Sequence, residues 1–220
     1  MRLKREILFV LTIICLSMAG LNAQVVKDVE GNVYITTQIG KQTWMAENLK
    51  TTRFNDGTAI PFVPEDNVWK TLKTPAYCWF NYDVNNKELY GALYNWYAVN
   101  SKKLCPSGWH VPEDTEWTIL VTFLGDPEVA GNKLKETGLK HWKNSITYSP
   151  DELGFTALPG GMRIYSGIFP DFADSYAIWW TATGISSTEA WSRGLQDITT
   201  RVWKGPNDKR NGYSIRCIKD

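Results

Sequence analysis

Leu104-Cys105-Pro106-Ser107-Gly108-Trp109-His110-Val111-Pro112 is the stretch of this 220-residue sequence that decides the fold, because it leads directly into a helix. In the residues that follow, Trp117, Leu120, Val121 and Leu124 recur at the i, i+3, i+4 and i+7 spacing of one helical face. The proline that ends the stretch and the acidic residues after it suit a helix start, where negative charge meets the positive end of the helix dipole. The pattern therefore predicts an amphipathic helix after Pro112.

A second helix is predicted from Asp126-Pro127-Glu128, an N-cap with proline and acid behind it, to Gly138 at the C′ position. The rest of the chain alternates short apolar or aromatic runs with Gly, Pro, Asn and Asp turns, which is typical of short strands. The segments 164–176 and 203–211 are predicted to be loops. Helices in the middle with strands on either side indicate an α+β protein. The predicted strands are 33–39, 42–45, 77–80, 154–158, 178–183, 190–195 and 213–218.

The N-terminus has the features of a secretory signal peptide. A basic start precedes the apolar run 7–16, and small or polar residues lead to a cleavage point after Ala23. The apolar run is shorter than the ~20 residues that span a bilayer. We therefore expect residues 1–23 to be removed, leaving an exported chain that is secreted or held at the cell surface, with no transmembrane segment.

Charge and composition exclude several classes of function. The whole chain has a net charge of +1, and residues 1–23 hold three basic residues and one acidic residue, so the mature chain is near −1. No field of one sign is available to attract nucleic acid. All eleven tryptophans lie in the mature part, as do three cysteines, Cys78, Cys105 and Cys217. In an oxidising compartment two of the three would pair, and parity alone leaves all three pairings open.

Several blocks, in the same order, resemble the Fibrobacter succinogenes major paralogous domain family. The likeness covers essentially residues 28–220, and the family consists of secreted or surface-attached bacterial proteins of largely undefined function. The blocks that carry it are 31–34, 42–49, 55–58, 93–99, 104–112, 160–163, 179–181 and 212–220.

The resemblance implies a C-type-lectin-like fold, with two helices and several short antiparallel strands, for residues 101–220. A β-rich portion at 24–100 would precede it. The family likeness also implies a long disulfide between Cys105 and Cys217, which leaves Cys78 as a buried thiol; a bond from Cys78 to either is the alternative.

The aromatic surplus and the two predicted loops direct the search for a ligand site. Of the Trp179-Trp180 pair on one predicted strand, one ring should face the core and the other could be exposed to stack on a sugar. Arg193, beside Trp191, is predicted to be a surface or cation–π residue, with contact to a ligand as the alternative. The candidate ligand-binding residues are Tyr165, Phe169, Asp171, Asp174, Tyr176, Trp179, Trp180, Arg193, Trp203, Asn207 and Asp208.

No cofactor or metal is expected. Calcium is the one ion considered, because Asp171, Asp174 and Asp208 could supply some of the six to eight oxygens it needs. The two acidic triplets with which C-type lectins bind calcium are nevertheless absent from the sequence. Two distant histidines do not make a zinc site, and His110 is predicted to hydrogen-bond locally at the start of the first helix.

No nucleophile elbow, phosphate-binding loop or dinucleotide fingerprint is present. We therefore expect a non-enzymatic binding or adhesion domain that recognises a polysaccharide, glycan or protein at the cell surface. The alternatives are a carbohydrate-active enzyme, since carboxylate spacing cannot be read from sequence, and a structural component of a surface assembly.

Overall fold

A computed structural model describes residues 24–143 and 153–220. The predicted signal peptide lies outside these residues. The described chain is α+β, with antiparallel strands and short helices. The strands are β1 (Val25–Lys27), β2 (Val33–Ile39), β3 (Gln42–Met45), β4 (Tyr77–Trp79), β5 (Ala92–Tyr94), β6 (Trp109–His110), β7 (Tyr176–Gly184), β8 (Glu189–Gln196), β9 (Trp203–Asp208) and β10 (Ile218–Lys219). The helices are α1 (Asp66–Trp69), α2 (Asn86–Tyr90), α3 (Trp96–Val99), α4 (Asp114–Phe123) and α5 (Pro127–Ala130).

The predicted helix after Pro112 is confirmed as α4. The Glu116 carboxylate accepts a hydrogen bond of 2.8 Å from the backbone amide of Glu113, which satisfies a donor that the helix leaves free at its start. The whole apolar stripe from Trp117 to Leu124 is buried. Spacing and capping residues thus predicted both the start of this helix and its buried face.

The predicted second helix is correct at its start and wrong in length. The Asp126 side chain accepts from the amide of Glu128 at 2.8 Å, but α5 ends at Ala130. The Gly131 amide donates to the Thr200 carbonyl at 2.8 Å, and the Pro127 carbonyl accepts from Val202 at the same distance. The helix ends because its next hydrogen bonds are made with this distant segment instead.

A five-stranded antiparallel sheet, in the order β1-β2-β3-β10-β6, joins the two predicted portions of the chain. Strand β10 inserts between β3 and β6, pairing Ile218 with Trp44 on one side and with His110 on the other. The disulfide expected from the family resemblance, Cys105–Cys217, is present beside this sheet, and Cys78 is free and buried. Burial raises the pKa of the Cys78 thiol to about 12, so it is a neutral packing residue.

A second antiparallel sheet, β7-β8-β9, lies between two hydrophobic clusters. Ala177 and Trp179 belong to the cluster that α4 covers, whereas Ile178 and Trp180 belong to the cluster beneath β4 and β5. Because successive strand residues face opposite sides, β7 contributes to both clusters.

Lys135 holds the segment after α5 in place. Its side chain is fully buried, and its ammonium donates to the carbonyls of Gln196 and Thr199 at 2.8 Å and of Asp197 at 3.2 Å. The ammonium also lies 4.7 Å from the centre of the Trp142 ring. The Lys135 ammonium is thus a hydrogen-bond donor shared by three backbone carbonyls.

None of the helices in the described ranges is long and apolar enough to cross a bilayer. The predicted strands 33–39, 42–45 and 77–80 correspond to β2, β3 and β4, and 178–183 and 190–195 lie within β7 and β8. The predicted strand 154–158 is wrong, because among these five residues only Ala157 forms a β-bridge, an isolated one to Lys135. Of the predicted strand 213–218, only Ile218 lies in a regular strand.

Candidate functional site

The first predicted loop, 164–176, forms one side of a cavity of about 250 Å³ that we call the Phe169 cleft. Three residues predicted to bind a ligand, Phe169, Asp171 and Asp174, line it together. The cleft is lined by Phe80, Asn81, Phe169, Pro170, Asp171 and Asp174.

Aromatic rings form the apolar part of the cleft. The ring of Phe169 packs edge-on against Phe80, with ring centres 5.5 Å apart, and against Tyr82 at 4.9 Å. Phe80 in turn packs edge-on against Tyr90 at 6.3 Å. Edge-to-face packing fixes the tilt of each ring, so the aromatic wall keeps one orientation.

Carboxylate and amide groups form the polar part of the cleft. Asp171 is exposed and makes no hydrogen bond or ion pair with any residue that the structure describes. Asp174 is half-buried and forms an ion pair with Lys143. Asp171 and the Asn81 amide are therefore the groups available to hydrogen-bond a ligand.

The backbone at the rim of the cleft is held in an unusual conformation. Asn81 and Tyr82 are consecutive non-glycine residues with φ of 51° and 60°, in the left-handed region that costs of order 1–3 kcal/mol per residue. The Asn86 amide donates to the Phe80 carbonyl at 2.9 Å, and the Tyr82 hydroxyl donates to Asp66. These bonds stabilise a turn that places Asn81 at the cleft.

Arg163 is the buried support beneath the aromatic wall. Its guanidinium donates to the carbonyls of Gly167 at 2.5 Å and Val63 at 2.6 Å, and to the Asp66 carboxylate at 3.0 Å. It also lies 5.1 Å from the Tyr82 ring centre and 5.8 Å from that of Phe169. One charged group therefore ties the start of the 164–176 loop to α1 and to the rings above it.

Gly161 gives Phe80 its place in the cleft. The glycine has φ of 78°, and a Cβ at this position would lie 2.4 Å from the Phe80 ring. Only glycine combines this backbone conformation with that approach. The block 160–163, which carries part of the family resemblance, thus shapes the cleft through both Gly161 and Arg163.

Two other predicted residues of the first loop lie outside the cleft. Tyr165 is 52% exposed, and its ring centre is 5.3 Å from the guanidinium of Arg210. Tyr176 is half-buried at the start of β7, where its ring packs against Phe172 at 5.8 Å.

Trp179 and Trp180 are both buried, at 1% and 0% exposure, so neither ring is exposed to stack on a ligand, which the sequence had left open for one of them. The Trp179 indole donates to the Asn48 side chain at 2.8 Å, and the Trp180 indole donates to the Tyr94 carbonyl at 2.9 Å. The two rings lie on opposite faces of the strand, as predicted. Both are buried because a hydrophobic cluster covers each face.

Arg193 is a buried structural residue and not the surface residue that was predicted. Its guanidinium donates to the Asp114 carboxylate at 2.8 Å and to the Thr118 hydroxyl at 2.8 Å, which fixes α4 against β8. The cation over Trp191 is Lys204, whose ammonium is 4.0 Å from the ring centre.

The second predicted loop, 203–211, is wrong in its first part, because Trp203–Asp208 is the edge strand β9. Trp203 packs on Gly194, where any Cβ would lie 2.3 Å from the indole. The Asn207 side chain accepts from the Tyr213 hydroxyl at 2.8 Å, and Asp208 forms an ion pair with Arg210 at 2.6 Å. These residues line no part of the Phe169 cleft.

Both histidines contact carboxylates. His110 contacts Glu116 at 2.9 Å, which joins β6 to the first turn of α4 as predicted, and it also contacts Asp220 at the far end of the chain at 2.7 Å. Burial lowers the pKa of His110, but these two carboxylates outweigh it and raise the pKa above its ordinary value. His141 contacts Glu136 at 2.8 Å. The described ranges contain no group of three or more His, Cys, Asp or Glu side chains placed to bind a metal ion.

Sequence reasoning missed Phe80, Asn81, Tyr82 and Arg163. Phe80 was assigned to the end of a predicted strand, and Arg163 was noticed only as part of a family block. The role of Arg163 as the buried support of the cleft could have been suspected from the two glycines that precede it in the block 160–163, because paired glycines indicate a close backbone approach.

Comparison with known protein families gives a match over most of the chain. The model of the Fibrobacter succinogenes major domain matches residues 37–219, which is most of the chain. No curated protein and no solved structure is significantly similar to it. The matched range includes β3, β10, the disulfide and all residues of the Phe169 cleft. The chain belongs to the Fibrobacter succinogenes major domain family.

Proposed function

We propose that this protein is an exported, non-enzymatic binding or adhesion domain that recognises a polysaccharide or other glycan through the Phe169 cleft. The observation that carries the proposal is that Phe169 and Asp171 face one cavity. A sugar ring has an apolar C–H face and a rim of hydroxyls. An aromatic ring beside a hydrogen-bond acceptor complements both.

The composition of the cleft supports a ligand of this kind. Most of the exposed lining of the cleft is polar, and the polar groups of a binding site set the orientation of its ligand. Here the Asp171 carboxylate can accept from hydroxyls, and the Asn81 amide can both donate and accept. A protein partner that inserts a polar loop is the second possibility.

Binding is favoured over hydrolysis by the state of the carboxylates. A glycosidase needs two carboxyl groups, one of them kept protonated by an apolar environment. Asp174 forms an ion pair with Lys143, and Asp171 is exposed to water, so neither carboxyl group of the cleft lies in an apolar environment. A catalytic pair is therefore not supported, and no cofactor is part of the proposal.

Two further properties are part of the proposal. The first is a C-type-lectin-like fold for residues 101–220, and the second is a location outside the cytoplasm. The arrangement of α4, the antiparallel strands after it and the disulfide that closes this portion supports the first. A buried disulfide supports the second, since such bonds persist in oxidising compartments.

The test is a glycan array followed by titration calorimetry of the best ligand with wild type, Phe169→Ala and Asp171→Asn. Loss of the ring or of the acceptor should each weaken binding by roughly 10-fold, the equivalent of one good contact. Phe123→Ala is the matched control, because Phe123 is 59% exposed on α4, away from the cleft.

Melting temperatures are compared, because Phe169 also packs against its neighbours. Asp171→Asn removes only a charge from an exposed side chain and should not change stability. Wild-type affinity in both cleft variants, or binding to no glycan on the array, would refute the proposal.

A further inference from the structure

A second cavity, of about 390 Å³, lies on the surface formed by the end of α1, by α3 and by the end of β9. We call it the Arg210 hollow. Its charged and aromatic lining consists of Lys70, Lys73, Tyr97, Asp208 and Arg210.

Arg210 is fixed in this hollow. Its guanidinium donates to both oxygens of Asp208, at 2.8 and 2.6 Å, and to the Lys70 carbonyl at 3.0 Å. A guanidinium has five N–H donors, so two remain without a partner among the residues described. A planar donor group that is already positioned loses little entropy when it binds an oxyanion.

Asp208 does not cancel the positive charge of the hollow. Burial raises the pKa of its carboxyl, but the hydrogen bonds from Arg210 outweigh burial and hold the pKa below its ordinary value. Asp208 is therefore ionised and balances Arg210 alone. Lys70 donates to the neutral Asn67 side chain at 2.8 Å, and Lys73 forms no bond with the described part of the chain, so two positive charges remain unmatched.

The loop that lines the Phe169 cleft also contacts Arg210 of the hollow. The exposed ring of Tyr165 lies over Arg210 at 5.3 Å, and Phe169 follows four residues later. Four residues span at most ~14 Å even when fully extended. One extended ligand could therefore reach Arg210 and the aromatic wall together.

We propose that the Arg210 hollow is a subsite for a carboxylate or sulfate group of an acidic polysaccharide, with a neighbouring sugar of the same chain in the Phe169 cleft. This inference rests on the proposed function, since it names the class of glycan. The fixed guanidinium and the two lysines bind the anionic group, Tyr97 lines the hollow beside them, and the exposed Tyr165 ring lies next to Arg210.

The test uses matched pairs of probes that share one sugar backbone, one member of each pair carrying the anionic group and the other lacking its charge. Oligogalacturonate is compared with its fully methyl-esterified form, and sulfated dextran with plain dextran of equal length, by titration calorimetry. The proteins are wild type, Lys70→Gln/Lys73→Gln, and the control Lys27→Gln/Lys41→Gln, which removes the same charge from exposed positions outside the hollow. Phe169→Ala tests the cleft separately.

Wild type and the control should bind at least one charged probe roughly 3- to 30-fold more tightly than its neutral partner, as two exposed ion pairs allow. Lys70→Gln/Lys73→Gln should abolish this preference and leave the neutral probe unaffected. The pair that shows the preference identifies the anion as carboxylate or sulfate.

Equal affinity of wild type for charged and neutral probes, binding to none of the four, or an equal loss in the control would overturn the inference. The proposed function fails separately. If Phe169→Ala alters no binding while the charge preference depends on the two lysines, the hollow binds anions and the cleft does not bind sugar.

Discussion

Replacing Cys105 and Cys217 together by alanine should remove about 4–5 kcal/mol from the free energy of unfolding. The bond closes a loop with a sequence separation of 112 residues. In the chain-entropy model, a loop of this length restricts the unfolded chain by about 4.7 kcal/mol at 25 °C. Domains of this size are stable by about 5–15 kcal/mol, so the loss is a third of the total or more.

The folded state should survive the change, because other bonds also hold the ends of this loop. The Met45 amide donates to the Cys217 carbonyl at 3.0 Å, and Ile218 pairs with both β3 and β6. The variant should therefore fold to the same structure and show its loss in the unfolding equilibrium.

The free energy of unfolding is measured by urea titration, monitored by tryptophan fluorescence. In a thermal melt of the same variant, the melting temperature is expected to fall by roughly 8–20 °C. Cys78→Ala is the control, since it removes a buried thiol and leaves the disulfide intact. A loss under about 2 kcal/mol in the double variant, or an equal loss in Cys78→Ala, would refute the loop-closure reasoning.

Three further changes test the cleft, a buried cation and a titrating histidine. Gly161→Ala should lower stability by about 2–5 kcal/mol and abolish glycan binding, because its Cβ would displace the Phe80 ring; Gly57→Ala, also at positive φ but in open space, should cost only about 1–2 kcal/mol. Lys135→Met should lower the free energy of unfolding in urea by about 1–3 kcal/mol, because buried carbonyls are left without their donor, and an unchanged midpoint would contradict this. Folding raises the pKa of His110, so its contribution to the free energy of unfolding should be complete below about pH 6.5 and lost as the pH rises through the higher pKa of the folded state. This contribution stays under about 1 kcal/mol, because the His110 side chain is 39% exposed. His110→Gln should flatten the pH dependence of stability.

Features fixed by neighbouring residues could be predicted from the sequence. The α4 helix follows from its apolar spacing and acidic first turn, and the β2–β3 hairpin follows from a β-rich run, a glycine turn and a second run. Each depends on contacts within a few residues of the chain, which a local pattern records.

Features fixed by distant residues could not be predicted. The turn-like sequence 203–208 becomes β9 because it pairs with β8. Pro206 is tolerated there because β9 is an edge strand, where a missing amide breaks no bond of the sheet. The helix at Pro127 stops early because Thr200 and Val202 take its hydrogen bonds. In neither case does the local sequence contain the partner.

The candidate site was predicted in part for the same reason. The first loop drew attention because the chain has a surplus of aromatic residues and this segment was predicted to be a loop, and three of the candidates in it, Phe169, Asp171 and Asp174, line the cleft. The opposite wall, Phe80 and Asn81, comes from a segment more than 80 residues earlier. Tertiary contacts bring the two together, among them those of Arg163 and Gly161 and the packing of Phe169 against Phe80.

The Cys105–Cys217 bond has a consequence for a chain that meets proteases. Both cavities are built in part from exposed segments between these two cysteines, such as the one that contains Tyr165. A single peptide-bond cleavage there would open the loop without releasing either fragment, because the sulfurs still join the two pieces. The nicked protein would run at full mass on a gel until reductant is added, and could retain its ligand.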